Sequence, residues 1–467
     1  MAQAKTGRRE WLSGMWLLTL ACAGLAGKSL LAADPPRPTK PNIIIFYADD
    51  LSWAETGCQG NRQIPTLHID SIAAGGLRCT QGYVAATYCS PSRAGLMTGR
   101  YPTRFGHEFN EMARDGGPGL PPSETTLAAR LKPLGYATTC IGKWHLGESA
   151  ACRPTERGFD EFFGTLGNTP FFHPSRFVDS RSSDDVVAVD DPAFYTTDAY
   201  ADRAVNWLTA RGKEPWFLYL PFNAQHKPLE APQKYLDRFP EITDPDRKLF
   251  AGMMAAMDDA IGRVLATVKA RGEEEETLIF FIGDNGGPRA GTLPTNGALR
   301  GFKAQTYEGG PRVPFLVQWK GRIPAGKTYD LPVLNLDVMP TCLAACGQPV
   351  GNGSQIIDGV DLMPYFTGVK PGRPHDTLHW RFGQQWAVRS GDWKLVVSND
   401  GSGSPELYNL AQDMGEQHDL AAREPQRAAQ LQALHDVWNA EQAEPLASPE
   451  KKPKQDAANG KLEPSET

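Results

Sequence analysis

The sequence predicts an α/β fold: a large, mainly parallel or mixed sheet sandwiched by helices, followed by a smaller α+β C-terminal domain. Three observations predict it. Short continuous apolar runs alternate with amphipathic helical stretches, as expected for strands buried on both faces beneath covering helices. Polar and charged residues gather just after those runs, where open α/β sheets place their functional groups. From about Pro371 the texture changes to short β-like runs broken by Gly-Asp and Asn-Asp-Gly turn signals.

Taken in order, residues 34–41 are Pro-rich and extended. Asn42 to Ala48 (NIIIFYA) is a strand buried on both faces, and it ends in Asp49-Asp50. A helix covers Thr66 to Ala74, and another follows Pro91. Thr125 to Leu134 is helical, and the short strand Tyr136 to Ile141 leads into Gly142-Lys143. The amphipathic stretch Asp198 to Arg211 precedes the apolar strand Trp216 to Leu220. A long helix spans about Asp246 to Arg271. Thr277 to Ile282 (TLIFFI) is another buried strand, ending in Gly283-Asp284-Asn285, and Val313 to Trp319 is a further strand. In the C-terminal domain, Trp386 to Arg389 and Trp393 to Val397 are β-like, and Pro425 to Gln442 is helical. From Pro445 the chain is rich in Lys, Glu, Pro and Ser, which predicts a disordered tail.

A chain of 467 residues has room for two or three domains and a sizeable core. Its net charge of −6 excludes the broad basic surface of a nucleic-acid partner. An anionic substrate must therefore meet a local basic pocket. Lys5, Arg8 and Arg9 precede an apolar run from Trp11 to Gly27, and Ala32-Ala33 precede Asp34, the pattern of a signal peptide over residues 1–33. Gly7-Arg8-Arg9-Glu10-Trp11-Leu12 is similar to a twin-arginine export signal. Cleavage near Ala33 and export to the periplasm or beyond are expected. An uncleaved anchor is the alternative; no other stretch is apolar enough to span a membrane, so no stable membrane partner is expected. Of eight cysteines, Cys22 lies in the signal. Cys58, Cys79, Cys140, Cys152, Cys342 and Cys346 are too sparse for a disulfide scaffold, and no paired CxxC suggests zinc. Cys342 and Cys346, four apart, suit one buried helix face.

Three stretches carry chemistry. Cys89 to Gly99 reads CSPSRAGLMTG. Pro91 followed by helix formers places Cys89 at a helix N-terminus, where free N–H groups favour an anion, and Arg93 adds a planar donor. The alternative is a buried Cys before an ordinary helix. Asp49-Asp50 and Asp284-Asn285, each after a buried strand, suggest an all-oxygen site for Ca²⁺ or Mg²⁺ in preference to zinc. A lone Asp at such a place is more often a turn cap. Lys143, His145 and His226 also follow predicted strands.

CSPSRAGLMTGR resembles the signature of the type I sulfatases. Gly142-Lys143-Trp144-His145-Leu146-Gly147 is similar to the family's GKWHLG motif. His226, in Asn223-Ala224-Gln225-His226-Lys227-Pro228, and Lys303, in Gly301-Phe302-Lys303 before Tyr307-Glu308-Gly309-Gly310-Pro311-Arg312, match a family His and Lys. Glu406-Leu407-Tyr408-Asn409-Leu410, with Asp413 and Glu416, extends the resemblance over the mature chain.

The resemblance implies an alkaline-phosphatase-like fold, with a catalytic domain over 34–370, an α+β subdomain over 371–444 and a tail over 445–467. It implies that a formylglycine-generating enzyme oxidises Cys89 to formylglycine, an aldehyde hydrated to a gem-diol. It implies one divalent cation, calcium ahead of magnesium, held by Asp49, Asp50, Asp284 and Asn285 with an oxygen of position 89. One gem-diol hydroxyl would attack sulfur, and the second would lose its proton to expel sulfate. Arg93 and Lys143 would stabilise charge on oxygen, His145 would orient or deprotonate the gem-diol, and His226 or Lys303 would protonate the departing alcohol. Arg312 is read as structural.

The expected substrate is a sulfated small molecule or glycan. The loops Phe172-His173-Pro174-Ser175-Arg176 and His379-Trp380-Arg381-Phe382 are expected to set specificity, since they mix aromatics with cations. The rival readings are a phosphonate or phosphate ester hydrolase of the same superfamily and a non-catalytic glycan-binding relative.

Overall fold

The structure is a computed structural model that describes residues 40–288, 296–350, 355–398 and 403–447. The signal over 1–33 and the tail from 448 onward lie outside the described residues.

A single sheet separates two hydrophobic cores. In β1 (Asn42–Ala48), Ile43, Ile45 and Tyr47 enter one core, and Ile44, Phe46 and Ala48 the other. That alternation is why the sequence is apolar at every position: each face meets a helical layer. Helix α1 (Leu67–Ala74) then leads to β2 (Leu77–Cys79), and β3 (Gly82–Tyr83) leads to α2 (Cys89–Thr98). The stretch expected to form one helix over 125–134 divides into α3 (Leu127–Leu131) and a 3₁₀ turn, Lys132–Leu134, because Pro133 cannot continue the helical ladder. Next come β4 (Ala137–Lys143), β5 (Glu161–Thr165), β6 (Phe177–Asp179) and β7 (Ser183–Val187). Helix α4 (Thr196–Thr209) precedes β8 (Trp216–Pro221), followed by α5 (Gln233–Leu236) and the long α6 (Pro245–Ala270). Asp244 caps α6 by accepting from the Arg247 N–H at 2.7 Å.

Next come β9 (Thr277–Gly283), β10 (Phe315–Gln318), β11 (Lys327–Tyr329) and β12 (Val333–Leu334), the last paired in parallel with β3 as a separate two-stranded sheet, before α7 (Val338–Ala345) and α8 (Met363–Phe366). The ten-stranded sheet runs β11-β2-β10-β9-β1-β8-β4-β5-β6-β7. Its centre is parallel, whereas β10 is antiparallel to both neighbours and β6 and β7 add an antiparallel edge. The sheet is therefore mixed, within the expected class.

A four-stranded antiparallel sheet follows, in the order β13 (Thr377–Phe382), β14 (Gln385–Ser390), β15 (Trp393–Val397), β16 (Glu406–Asn409), with α9 (Pro425–Asn439) against it. It docks through buried charge. The Lys394 ammonium lies 2.9 Å from Glu308 and 3.0 Å from Glu416, all three side chains fully buried. Arg312 closes the cluster 3.1 Å from Glu308, well suited to the structural reading. Leu446, inside the stretch expected as tail, donates its N–H to the Gly106 carbonyl at 3.0 Å. All seven described cysteines are free, and Cys342 and Cys346 are buried neighbours on α7 and its C-cap.

Candidate active site

Two neighbouring strands bring the acids together. β1 and β9 pair in parallel with Ala48 opposite Gly283, so Asp49 and Asp284 leave the sheet side by side. Asp50 then takes φ 55°, a left-handed conformation that Asp tolerates better than most residues. Its N–H donates to Asp284 Oδ1 at 3.0 Å, and Asn285 Nδ2 donates to Asp50 Oδ1 at 2.7 Å. Cys89 faces them, with Sγ 3.3 Å from Asp49 Oδ1 and 3.8 Å from Asp50 Oδ1. One ligand atom from each of Asp49, Asp50, Cys89 and Asp284 fits within 4.8 Å.

Cys89 is the first residue of α2, and extended Tyr88 is its N-cap. No Tyr88 side-chain bond closes that end; instead the Ser90 N–H donates to Asn110 Oδ1 at 2.9 Å. Ser90 Oγ also meets His107 Nε2 at 2.6 Å. Pro91 sits at the third helical position, still in the first turn, where its missing N–H breaks no intrahelical bond. Ser92 binds Tyr47 Oη at 2.7 Å, and Asn335 Nδ2 donates to the Ser92 carbonyl at 3.0 Å, tying α2 to the sheet. Gly99 ends α2 at φ 66°, a left-handed C-cap that glycine adopts freely.

Basic groups ring the acids. Lys143, the last residue of β4, pairs with Asp49. Lys303 Nζ lies 2.8 Å from Asp50. Arg93 is fully buried: Nε and Nη2 donate to Asp284 at 3.1 and 2.8 Å, and Nη1 donates to the Lys143 carbonyl at 2.7 Å. Its hydrogen bonds run to the acids and to the backbone beside them. His226 Nδ1 meets the Lys227 carbonyl at 2.6 Å, an acceptor only, so Nδ1 carries the proton and Nε2, 3.8 Å from Asp50, is left as an acceptor. His145 stands in left-handed backbone at φ 59°, with Nδ1 buried and unpartnered.

The field follows from burial and these neighbours. Burial opposes ionisation of Asp49, but Lys143, His226, Arg93 and Lys303 outweigh it and hold the carboxyl well below its usual range. Burial, then repulsion from Asp49, pushes Asp284 up to about 7 despite Arg93. Burial and Asp49 raise the Cys89 thiol far above its ordinary value, so an unmodified Cys89 is a protonated thiol. Burial and Lys303 bring His226 down to about 4. Burial with Lys143 and Arg93 lowers His145. Lys303 is raised, since Asp50, Cys89 and Asp49 outweigh its burial.

A divalent cation suits this set. Asn285 Oδ1 is buried without a partner, and the Asp284 carboxyl carries a raised pKa that a cation would relieve. Hard oxygens dominate the donors.

Of the two stretches expected to set specificity, one is corrected. His379–Phe382 is no loop but most of β13: Trp380 is buried and donates to the Val84 carbonyl at 2.7 Å, and Arg381 Nε donates to Glu108 at 2.9 Å. Phe382 alone reaches the site, edge-on to Tyr88 with centroids 5.2 Å apart. Arg176 stays at the rim, 2.6 Å from Glu148, and a Cβ placed on Gly167 would lie 3.9 Å from Arg176 and 3.8 Å from His145. Sequence reasoning missed Tyr88; its place one residue before Cys89 was the available signal.

Comparison with known proteins agrees with this geometry. The profile of the family described as Sulfatase matches residues 41–348. Human (Homo sapiens) arylsulfatase A is 32% identical over 445 residues, covering 84% of this chain and 85% of its own. N-acetylgalactosamine-6-sulfatase of Canis lupus familiaris is 31% identical, covering 81% of this chain and 74% of its own. Among solved structures, Ps i-CgsB, determined alone and in complex with k-i-k-neocarrahexaose, superposes with a TM-score of 0.80 at 32% identity, covering 87% of this chain and 94% of its own. The chain belongs to the sulfatase family and is a sulfuric ester hydrolase.

Proposed function

We propose that this chain is an exported sulfatase that removes sulfate from sulfated carbohydrates, and from aryl sulfates, through a formylglycine formed at Cys89 and one divalent cation, calcium ahead of magnesium. The observation that carries the reading is the convergence of Cys89, Asp49, Asp50 and Asp284 within 4.8 Å, with Arg93, Lys143 and Lys303 around them. The sugar-directed names of the relatives described above support the substrate class. We assign residues 1–33 to a signal peptide, 34–370 to the catalytic domain and 371–444 to the C-terminal subdomain.

Asp49, Asp50, Asp284 and Asn285 would hold the cation, which when bound supplies Lewis-acid charge stabilisation beside position 89. Formylglycine supplies the hydrated aldehyde that a thiol cannot replace, and a formylglycine-generating enzyme is the partner it requires. Everything else falls to unmodified side chains. Three carboxyl groups face three basic groups, so with all of them ionised the site is balanced before any cation arrives. A divalent cation leaves it two charges positive, matching a departing sulfate dianion. Arg93 fixes the orientation of Asp284, and Lys143 that of Asp49. Lys303, partly open to solvent where Lys143 is buried, is our candidate for the proton donor to the leaving alcohol. Neutral His226 offers only an acceptor at Nε2, so it is not read as the acid. His145 takes or returns the proton of the group at position 89, its Nδ1 free of other partners.

Turnover of 4-nitrophenyl sulfate and 4-nitrophenyl phosphate tests this. A kcat/KM that favours the sulfate is expected; one that favours the phosphate would move the chain to the phosphate-ester branch of the superfamily.

A further inference from the structure

Beside the cluster that handles sulfur, the fold builds an aromatic corner that nothing in the sulfate chemistry uses. Tyr88 precedes Cys89, and its ring lies 5.2 Å from the Lys303 ammonium. Phe382 meets it edge-on at 5.2 Å and 65°, and Phe109 backs Phe382 at 5.0 Å. Phe109 is buried, but Tyr88 and Phe382 remain partly open to solvent.

The corner is held from both domains. Arg381 and the Gly383 N–H, flanking Phe382, donate to Glu108 at 2.9 and 2.7 Å, which fixes the end of β13 against the segment carrying Phe109. Gln385 Nε2 donates to the Ala304 carbonyl at 3.0 Å, so the same hairpin braces the residue after Lys303. The Tyr88 hydroxyl has no hydrogen bond among the described residues.

Cys89, Arg93 and Lys143 are buried, whereas Lys303 and Tyr88 beside them stay partly open, so an ester seated at position 89 turns its bridging oxygen to their side. A ring on that oxygen would come off the sulfur on the side of the Lys303 ammonium, where Tyr88 stands. We infer that Tyr88 and Phe382 form the leaving-group subsite, packing the ring of a pyranose alcohol, with the Tyr88 hydroxyl addressing one of its hydroxyls. This deepens the sulfatase reading above and rests on it. It makes the C-terminal sheet part of substrate selection through one residue, Phe382, and selects ring-bearing alcohols over small acyclic ones.

The test compares Tyr88→Ala, Phe382→Ala and Phe382→Leu with wild type on two kinds of ligand. A monosulfated methyl pyranoside and 4-nitrophenyl sulfate carry rings; ethyl sulfate and inorganic sulfate, the latter read as an inhibitor, do not. Loss of aromatic packing should lower kcat/KM for the ring-bearing esters by on the order of 10-fold or more, mainly through KM. Ethyl sulfate turnover and the inhibition constant of inorganic sulfate should stay within about twofold. Phe382→Leu keeps apolar bulk in the corner and should be milder than Phe382→Ala, which separates lost stacking from misfolding. Equal losses on ringed and ringless ligands, or no loss on ringed ones, would overturn the subsite. Calorimetric binding of the same ligands to Cys89→Ala protein makes the comparison without turnover. Wild type inert on every sulfate ester would thus count against the sulfatase reading, while the binding data still decide the subsite.

Discussion

The Lys303 ammonium bridges both oxygens of Asp50, at 2.8 and 3.0 Å. One carboxylate thus anchors a charged lysine and belongs to the acid cluster that we propose holds the cation. His226 approaches the same carboxylate at 3.8 Å but carries its proton on the far nitrogen, held by the Lys227 carbonyl. The two residues, equivalent candidates for the acid in the sequence, have different chemistry in the fold.

The leaving group reveals the difference. A sugar alkoxide departs badly without a proton, whereas a nitrophenolate departs easily. Lys303→Ala should therefore damage turnover of sugar sulfates far more than of 4-nitrophenyl sulfate, by a gap approaching the roughly 10²–10⁴-fold typical of general acid catalysis. His226→Ala should cost both substrates alike. A wide substrate gap for His226→Ala with none for Lys303→Ala would reverse the assignment, and kcat/KM of each variant on both esters decides it.

Removing the cation should loosen the site as well as silence it. A chelator should abolish turnover and lower Tm, with Ca²⁺ or Mg²⁺ restoring both. At free cation near 100 times its Kd the restored stability should be about 2.7 kcal/mol. Metal analysis of active protein that finds no bound divalent cation would rule the site out.

Much of this was legible in the sequence because burial on both faces leaves a plain mark. β1, β8 and β9 are continuous apolar runs since each feeds two cores, and the acids at their ends stood out by contrast. β7 was not legible: Ser183–Val187 is an exposed edge strand whose residues SDDVV bury nothing. Strand order was not legible either, and only the parallel pairing of Ala48 with Gly283 makes Asp49 and Asp284 neighbours. The orientation of Arg93 depended on that same pairing. Phe382 was singled out, but as part of a loop, because its strand partners lie beyond a turn and its buried neighbour Trp380 is packed on Val84, nearly three hundred residues away.

A pH effect on stability should arise away from the catalytic groups. His375 Nε2 lies 2.8 Å from Asp337, and although burial opposes its charge, Asp337 outweighs burial and raises the imidazole above its usual pKa. The folded state thus binds the proton more tightly than the unfolded one. The pair's stabilisation is complete below about pH 6.5, the unfolded value, and fades as pH rises through the raised folded value. His375→Asn should lower Tm most near pH 5.5 and least near pH 9, with a loss up to about 3–5 kcal/mol at the acid end. A loss that grows with pH would mean that the neutral imidazole carries the contact. Thermal melts of both proteins across that range settle the sign.

Position 89 carries the central claim, since a buried thiol with a strongly raised pKa is a poor nucleophile. The direct measurement is peptide mass spectrometry across Cys89 in purified protein, with specific activity recorded for each preparation. Conversion of the thiol to an aldehyde, in a fraction that rises in proportion to activity, is the predicted result. Full activity in protein whose Cys89 remains an unmodified thiol would contradict it.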